Sequence, residues 1–200
     1  PAERLHLARG HGSPAPGCPA RLVRTAGQEP TIGLPDPSLV LLIGVTGAGK
    51  STFAARHFRP TQVLSSDAFR AVVADDETDQ SATTDAFELL HLAVDRRLAR
   101  RRLTVIDATN LLASARRPLL DAARRHTVPA VAIVFDLQPR VTAERNATRA
   151  GRTVPDAVHQ RQVRALRRCL PELPEDGFAA IWLLRSPEAI DRAVVGPVAS

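Results

Sequence analysis

The sequence predicts an α/β fold in which a central five-stranded parallel sheet is covered on both faces by helices, as a three-layer sandwich. One observation is that five apolar runs of strand length alternate with longer segments of helical periodicity. A second is that these runs are continuously apolar, which is typical of strands buried on both faces. A chain of 200 residues with 44% hydrophobic side chains is long enough to bury one such core.

The predicted strands and helices follow one another in βαβ order from residue 38 onward. Strands are predicted at 39–43, 62–65, 103–107, 130–135 and 179–184. Helices are predicted at 50–57, 68–73, 84–101, 114–126, 140–149, 155–169 and 187–194. Each strand is therefore followed by a crossover helix, which parallel pairing requires.

The first 37 residues differ in composition from the rest of the chain. They hold seven of the 16 prolines and five of the 11 glycines, without apolar periodicity. We interpret residues 1–37 as a flexible leader and 38–200 as one domain. No apolar run is long enough to cross a bilayer, and two cysteines form neither a disulfide framework nor a CxxC zinc site, so we expect a cytoplasmic protein without membrane partners.

Charge is unevenly distributed, and lysine is almost absent. The net charge is +6, and Lys50 is the only lysine among 27 basic residues. Residues 67–95 carry eight acids and one base, whereas 140–168 carry eight bases and two acids. This polarity suits a polyanionic partner near one segment, although two solvated helix faces of opposite sign would give the same pattern.

A phosphate-binding motif follows the first predicted strand. Residues 44–51, GVTGAGKS, match G-x-x-x-x-G-K-[ST] between a strand and a helix, the context of a P-loop. Backbone N–H groups of such a loop surround a phosphate, Lys50 reaches the β- and γ-phosphates, and the Ser51 hydroxyl binds Mg²⁺. The predicted nucleotide-binding residues are Gly44, Thr46, Gly47, Ala48, Gly49, Lys50, Ser51 and Thr52.

Two aspartates end the second and third predicted strands, at the sheet edge where ligands bind. Asp67 is either the general base of phosphoryl transfer or the N-cap of a helix starting at residue 68. Arg70, one turn later, either holds an acceptor phosphate or pairs with Asp67. Asp107 resembles a Walker B residue that orders the water shell of magnesium, or it caps Thr109 or Asn110. No Glu follows Asp107, which disfavours hydrolysis to water.

Arginines in the segment 140–170 predict a lid. Arg145 and Arg149 are four residues apart on one predicted helix face and would close over the triphosphate, although solvated arginines are frequent in so arginine-rich a chain. Gly151 would permit the necessary bend, and Arg140 with Glu144 is expected to be only a surface pair. The acids 75, 76, 77 and 79 are expected to form a solvated loop beside Gln80.

The combined pattern over residues 38–188 resembles the bacterial polynucleotide 5′-kinase module, the kinase domain of RNA-repair polynucleotide kinase-phosphatases. The segments that carry the resemblance are GVTGAGKSTFAARHF, VLSSDAFR, DDETDQSATTDAFELLH, TVIDATN and ERNATRAGR. It implies a P-loop fold that uses Mg²⁺ and ATP, GTP or another nucleoside triphosphate to phosphorylate the 5′-hydroxyl end of RNA or DNA.

The resemblance also implies roles for individual residues. Lys50 and Ser51 match the P-loop pair, and Asp67 matches the general base. Arg70 and Gln80 match residues that bind the acceptor, while Arg145 and Arg149 match the lid arginines. Such proteins continue into phosphatase and ligase-like domains and dimerise as full-length chains; this sequence shows neither domain, so an excised domain and a free-standing relative both stay open.

Two other functions fit the same motifs. A P-loop kinase for a small metabolite or antibiotic would share the phosphate loop, the aspartate and the lid without needing a polyanionic acceptor. A regulatory nucleotide-binding module would need only the loop. Few aromatic residues are present, 4% with no Tyr, so we expect recognition of nucleic acid through its phosphate backbone rather than by base stacking.

Overall fold

The computed structural model of the chain describes residues 22–25, 31–148 and 153–198. The strands are β1 (Leu22–Thr25), β2 (Thr31–Leu34), β3 (Leu39–Ile43), β4 (Val63–Ser65), β5 (Thr104–Asp107), β6 (Ala130–Phe135), β7 (Ala180–Leu184) and β8 (Val194–Pro197). The α-helices are α1 (Lys50–His57), α2 (Ser66–Ala74), α3 (Thr83–Ala99), α4 (Ala113–Arg125), α5 (Pro139–Ala147), α6 (Asp156–Glu172) and α7 (Pro187–Arg192). Every predicted strand and helix is present, with ends that differ by at most three residues.

The main sheet is entirely parallel and has the order β1-β7-β6-β3-β5-β4. The predicted α/β class is therefore confirmed, and the five predicted strands form five adjacent positions of the sheet. A sixth strand, β1, extends the sheet beyond β7, and β2 pairs with β8 in a separate two-stranded sheet.

Of the three additional strands, β8 lies near the end of the chain, whereas β1 and β2 lie in the segment predicted as a flexible leader, residues 1–37. Strands β1 and β2 were missed because each has only four residues and stands among prolines and glycines, so neither shows a periodic pattern. Ile32 and Leu34 of β2 are buried in the core, which places the start of the packed structure before residue 37.

The core lies on both faces of the central strands. Every residue of β3 and of β6 is buried, as expected for parallel strands covered by helices on each side. In register, Leu42 of β3 lies opposite Asp107 of β5, and Ser65 of β4 lies opposite the same aspartate. The carboxyl ends of these three strands thus meet at one edge of the sheet.

A buried arginine fixes the loop that follows β5. Arg116 of α4 is 0% exposed and its Nε lies 2.6 Å from a carboxylate oxygen of Asp176. Its NH1 group donates to the carbonyls of Asn110 and Leu111 and to the sulfur of Cys169. Burial raises the pKa of the Cys169 thiol to about 11. These contacts connect the loop after β5, helix α4 and the end of helix α6.

The described part of the chain contains no helix with the length and apolar character needed to cross a lipid bilayer.

Candidate functional site

The phosphate-binding loop connects β3 to α1, as the motif predicts. Gly47 and Gly49 have φ angles of +81° and +92°, a region that residues with a Cβ adopt at a cost. A Cβ on Gly47 would also overlap the carbonyl oxygen of Thr142 on α5. The loop therefore requires glycine at both positions. Both need its backbone conformation, and Gly47 also needs the absence of a Cβ because Thr142 lies so close.

Lys50 is the first residue of α1 and is almost completely buried, with 8% of its surface exposed. Its ammonium donates hydrogen bonds to the carbonyls of Gly44 and Val45, at 3.0 and 2.9 Å. A compact ammonium fits between two carbonyls of one loop, a task for which a planar guanidinium is poorly shaped. This geometry explains why the chain keeps a lysine here although it uses arginine everywhere else.

A cavity of about 1040 Å³ lies in front of the loop, beyond the carboxyl ends of β3, β4 and β5. Of the predicted site residues, those that line it are Thr46, Gly47, Gly49, Lys50, Ser51, Thr52, Asp67, Arg70, Gln80, Asp107 and Arg145. Two predicted members of the phosphate loop are in packed positions instead. The Ala48 side chain is buried in the core, and the Gly44 amide donates to the Thr109 carbonyl.

Asp67 lies in the first turn of α2, and the structure corrects one of its two predicted roles. Helix α2 starts at Ser66, and its N-cap is Ser65, whose hydroxyl accepts from the amide of Ala68. Asp67 is therefore not the cap, and its carboxylate faces the cavity. It accepts hydrogen bonds from Arg70 and, at 3.4 Å, from the Ser66 hydroxyl.

Arg70 pairs with Asp67, which is one of its two predicted roles. The side chain is only 5% exposed and forms an ion pair with Asp67, while its Nε donates to the carbonyl of Glu77 at 2.9 Å. It also lines the cavity. Arg70 thus holds the carboxylate in place and connects α2 to the following loop.

The acidic loop after α2 forms local turns. Asp76 accepts from the amide and hydroxyl of Thr78, and Asp79 does the same for Ser81. The bonds from Ser81 lower the pKa of Asp79. Gln80 lies between them, lines the cavity, and donates to the Thr78 carbonyl. These bonds agree with the solvated loop predicted for the acids.

Asp107 ends β5 and is buried except for its face toward the cavity, which Ser51 also lines. The next helix, α4, begins at Ala113, so neither Thr109 nor Asn110 starts a helix that Asp107 could cap. Among the residues that the structure describes, no three His, Cys, Asp or Glu side chains form a metal cluster. A hydroxyl and one carboxylate nevertheless fit Mg²⁺ bound to a nucleotide, because phosphates and waters supply most of its ligands.

The predicted lid corresponds to helices α5 and α6. Arg145 is exposed on α5 and lines the cavity next to Gly49. Arg149, Gly151 and Arg152 lie outside the described residues. The predicted surface pair of Arg140 and Glu144 is confirmed, with 3.9 Å between two exposed side chains.

Helix α6 contributes site residues that the sequence analysis missed. The side-chain oxygen of Gln162 accepts from the backbone amide of Thr46, at 2.8 Å, so α6 contacts the phosphate loop directly. The buried His159 ring lies 2.9 Å from the Thr142 hydroxyl and joins α6 to α5. Arg161 lines the cavity beside Gln162. No local motif marks these residues, since Gln162 and Thr46 are 116 positions apart.

The charge of the cavity is predominantly positive. The cationic residues that line it are Lys50, Arg56, Arg70, Arg145 and Arg161, and the acidic ones are Asp67, Asp107 and Asp191. Arg56 and Asp191 pair at 3.4 Å near one end. The remaining excess of positive charge surrounds the phosphate loop and favours an anionic ligand.

Comparison with known proteins assigns the chain to a family. The family model described as AAA domain matches residues 39–173, and the chain belongs to that family. The fold is that of P-loop kinases. No match was found among the curated proteins compared with it.

Solved structures with the same fold have varied functions. A chain from the Pnkp1/Rnl/Hen1 RNA repair complex is 24% identical, with a TM-score of 0.56 over 70% of this chain and 47% of that one. A chain from the PezAT toxin-antitoxin system of Streptococcus pneumoniae is 14% identical, with a TM-score of 0.58 over 81% and 71%. A sugar kinase from Janibacter sp. HTCC2649 is 20% identical, with a TM-score of 0.54 over 78% and 91%. Our chain spans about half the length of the RNA-repair chain.

Proposed function

We propose that the protein is a polynucleotide 5′-kinase, which transfers the γ-phosphate of ATP or another nucleoside triphosphate to the 5′-hydroxyl of an RNA or DNA end during repair. The observation that carries the proposal is that one cavity is lined both by the P-loop residues Lys50 and Ser51 and by the Asp67 and Arg70 pair. A phosphate donor and an alcohol can then meet between them.

In this reaction Asp67 accepts the proton of the 5′-hydroxyl as its oxygen bonds to the γ-phosphorus. The bond from that phosphorus to the β–γ bridging oxygen breaks, and a nucleoside diphosphate leaves. Lys50 and Arg145 stabilise the negative charge on the transferred group, and we assign the same role to Arg149. Bound Mg²⁺, held by Ser51 with Asp107 behind it, would neutralise charge on the β- and γ-phosphates.

Three observations favour a polynucleotide as the acceptor. The cavity is at the upper end of the usual size range for small-ligand pockets, which is about 300–1000 Å³. Its cationic residues outnumber the acidic ones, which suits an acceptor that carries its own phosphates. A solved structure with the same fold comes from an RNA repair complex, and the sequence motifs resemble an RNA-repair kinase family.

A transfer assay tests the proposal. The protein is incubated with γ-labelled ATP, Mg²⁺ and a 5′-hydroxyl RNA oligonucleotide, and the label is followed by gel electrophoresis. We expect labelled RNA, and none when the oligonucleotide already carries a 5′-phosphate. Loss of a general base should lower the rate by about 10²–10⁴ in Asp67→Asn with little change in ATP affinity. Asp75→Asn, at the end of the same helix and exposed, is the matched control and should behave as wild type.

Other outcomes would identify the alternatives. Label found on a sugar or another small alcohol, with none on RNA, would favour a small-metabolite kinase. Bound ATP without transfer to any acceptor would favour a regulatory nucleotide-binding module. Wild-type transfer by Asp67→Asn would remove the assigned base but leave the kinase activity established.

A further inference from the structure

Helix α3 carries an aromatic side chain at the acceptor side of the cavity. Phe87 lines the cavity together with Thr83, one turn earlier on the same helix, and with Asp67, Arg70 and Gln80. Phe87 is only partly buried. A partly exposed aromatic ring that lines a cavity with several charged residues is available to contact a ligand.

The position of Phe87 on α3 explains why it faces the cavity rather than the core. The buried stripe of the helix consists of Ala86, Leu90, Val94 and Leu98. Thr83, Phe87 and His91 form the neighbouring stripe at the same four-residue spacing. Phe87 is not a member of the hydrophobic core cluster, in contrast to Phe53, which is 1% exposed and belongs to that cluster.

The ring of Phe87 has an aromatic neighbour one turn later on α3. The His91 ring lies 6.0 Å from it between centroids, with an angle of 51° between the planes. Burial lowers the pKa of His91, which favours a neutral imidazole as the neighbour of the Phe87 ring near pH 7. Phe87 thus combines an aromatic neighbour on its own helix with a position in the cavity lining, as expected of a residue that stacks on a ligand.

We propose that Phe87 stacks against the base of the nucleotide whose 5′-hydroxyl faces Asp67. The inference rests on the proposed function and makes it more specific, because it assigns the acceptor a nucleobase next to the reacting hydroxyl. It also revises the expectation that the protein recognises nucleic acid through the phosphate backbone alone. An aromatic platform accepts any base, since every base has a π-face, so end repair without sequence preference is retained.

Binding of two oligonucleotides tests the platform independently of catalysis. Both carry a 5′-hydroxyl and a 3′-fluorescent label, and they differ only in that one has an abasic 5′-terminal nucleotide. Fluorescence anisotropy gives the dissociation constants for the full chain with a non-hydrolysable ATP analogue and Mg²⁺. Stacking should make the intact oligonucleotide bind about tenfold tighter or more.

The variant Phe87→Ala should bind the two oligonucleotides equally, with an affinity near that of wild type for the abasic one. Leu92→Ala is the matched control, because Leu92 is on the same helix, 53% exposed and outside the residues that line the cavity. It should keep the wild-type preference. Equal binding of both oligonucleotides by wild type would overturn the proposal, and so would a Phe87→Ala variant that weakens both to the same degree.

The transfer assay on the same samples separates the two proposals. If the intact oligonucleotide binds preferentially through Phe87 but receives no phosphate, the platform stands and the proposed kinase activity fails. If both oligonucleotides are phosphorylated with equal KM, the kinase activity stands and the platform is overturned.

Discussion

Replacing Gly47 with alanine would test how tightly the phosphate loop packs against helix α5. A left-handed backbone conformation costs a residue with a Cβ about 1–2 kcal/mol. The new methyl would also overlap the Thr142 carbonyl, a main-chain atom of α5 that cannot rotate away. Such overpacking costs about 1–3 kcal/mol. We therefore expect Gly47→Ala to lower the free energy of unfolding by about 2–5 kcal/mol.

Gly49→Ala provides the matched comparison. Its φ of +92° carries the same conformational cost, but the nearest atom to the added methyl is a guanidinium nitrogen of Arg145, at 3.7 Å. That is an ordinary contact with a flexible side chain, so only about 1–2 kcal/mol should be lost.

Urea unfolding followed by circular dichroism, without nucleotide, measures both values. The expected difference between the two variants is about 1–3 kcal/mol, with Gly47→Ala the less stable. Calorimetric titration with ATP should give weaker binding for Gly47→Ala, because relief of the overlap moves the loop away from α5. Equal stabilities would refute the inferred contact between the loop and α5, since the two variants share every other cost.

Three further outcomes follow from individual contacts. Gln162→Ala should bind ATP about 2- to 10-fold more tightly in calorimetric titration, because the Thr46 amide no longer has to exchange a side-chain partner for a phosphate oxygen. Asp176→Ala should lose about 3–5 kcal/mol in urea unfolding, because it leaves the buried Arg116 without its carboxylate. Cys169 should resist alkylation at pH 8, since its pKa of about 11 keeps the thiol protonated. The ordinary pKa of a cysteine thiol is 9.0, so the unfolded chain releases this proton at lower pH than the folded protein does. The free energy of unfolding should therefore fall as the pH rises from 9 toward 11.

Each of these outcomes has a control. Weaker ATP binding by Gln162→Ala would contradict the first outcome. It would mean that the hydrogen bond from the Thr46 amide to Gln162 holds the loop in its binding conformation instead of competing with a phosphate oxygen for that amide. Asp121→Ala removes a carboxylate from an exposed arginine pair and should change stability by less than about 1 kcal/mol. Alkylation is followed in a Cys18→Ser variant so that only one thiol is counted, and rapid reaction of the folded protein would contradict the burial of Cys169.

Sequence predicted most of the fold because its signals are local. Continuous apolar runs mark β3 and β6 to the residue, and the P-loop motif places the start of α1 at Lys50. The aspartates at the ends of β4 and β5 could be predicted as site residues because ligands bind beyond the carboxyl ends of parallel strands. Each of these inferences uses fewer than ten consecutive residues.

Contacts between distant segments could not be predicted in the same way. The four residues of β1 become a strand by pairing with Ala180–Leu183 of β7, more than 150 positions later. Likewise, nothing in the sequence around Gln162 distinguishes it from the other polar residues of an arginine-rich helix. Its role depends on the packing of α6 against the phosphate loop. The N-cap alternative for Asp67 stayed open in the sequence for a local reason, because Ser65 and Asp67 are both good caps and only the exact helix start distinguishes them.

The order of strands gives the two halves of the site different surroundings. The phosphate loop follows β3, which has neighbours on both sides, so the donor would bind over the middle of the sheet. Asp67 follows β4, the edge strand, which packs against α2 and α3. Under the proposed function we expect the acceptor to reach Asp67 from this edge of the sheet rather than over α5 and α6. A small alcohol does not need such a path, but a polynucleotide end does, because the rest of its chain must remain outside the cavity.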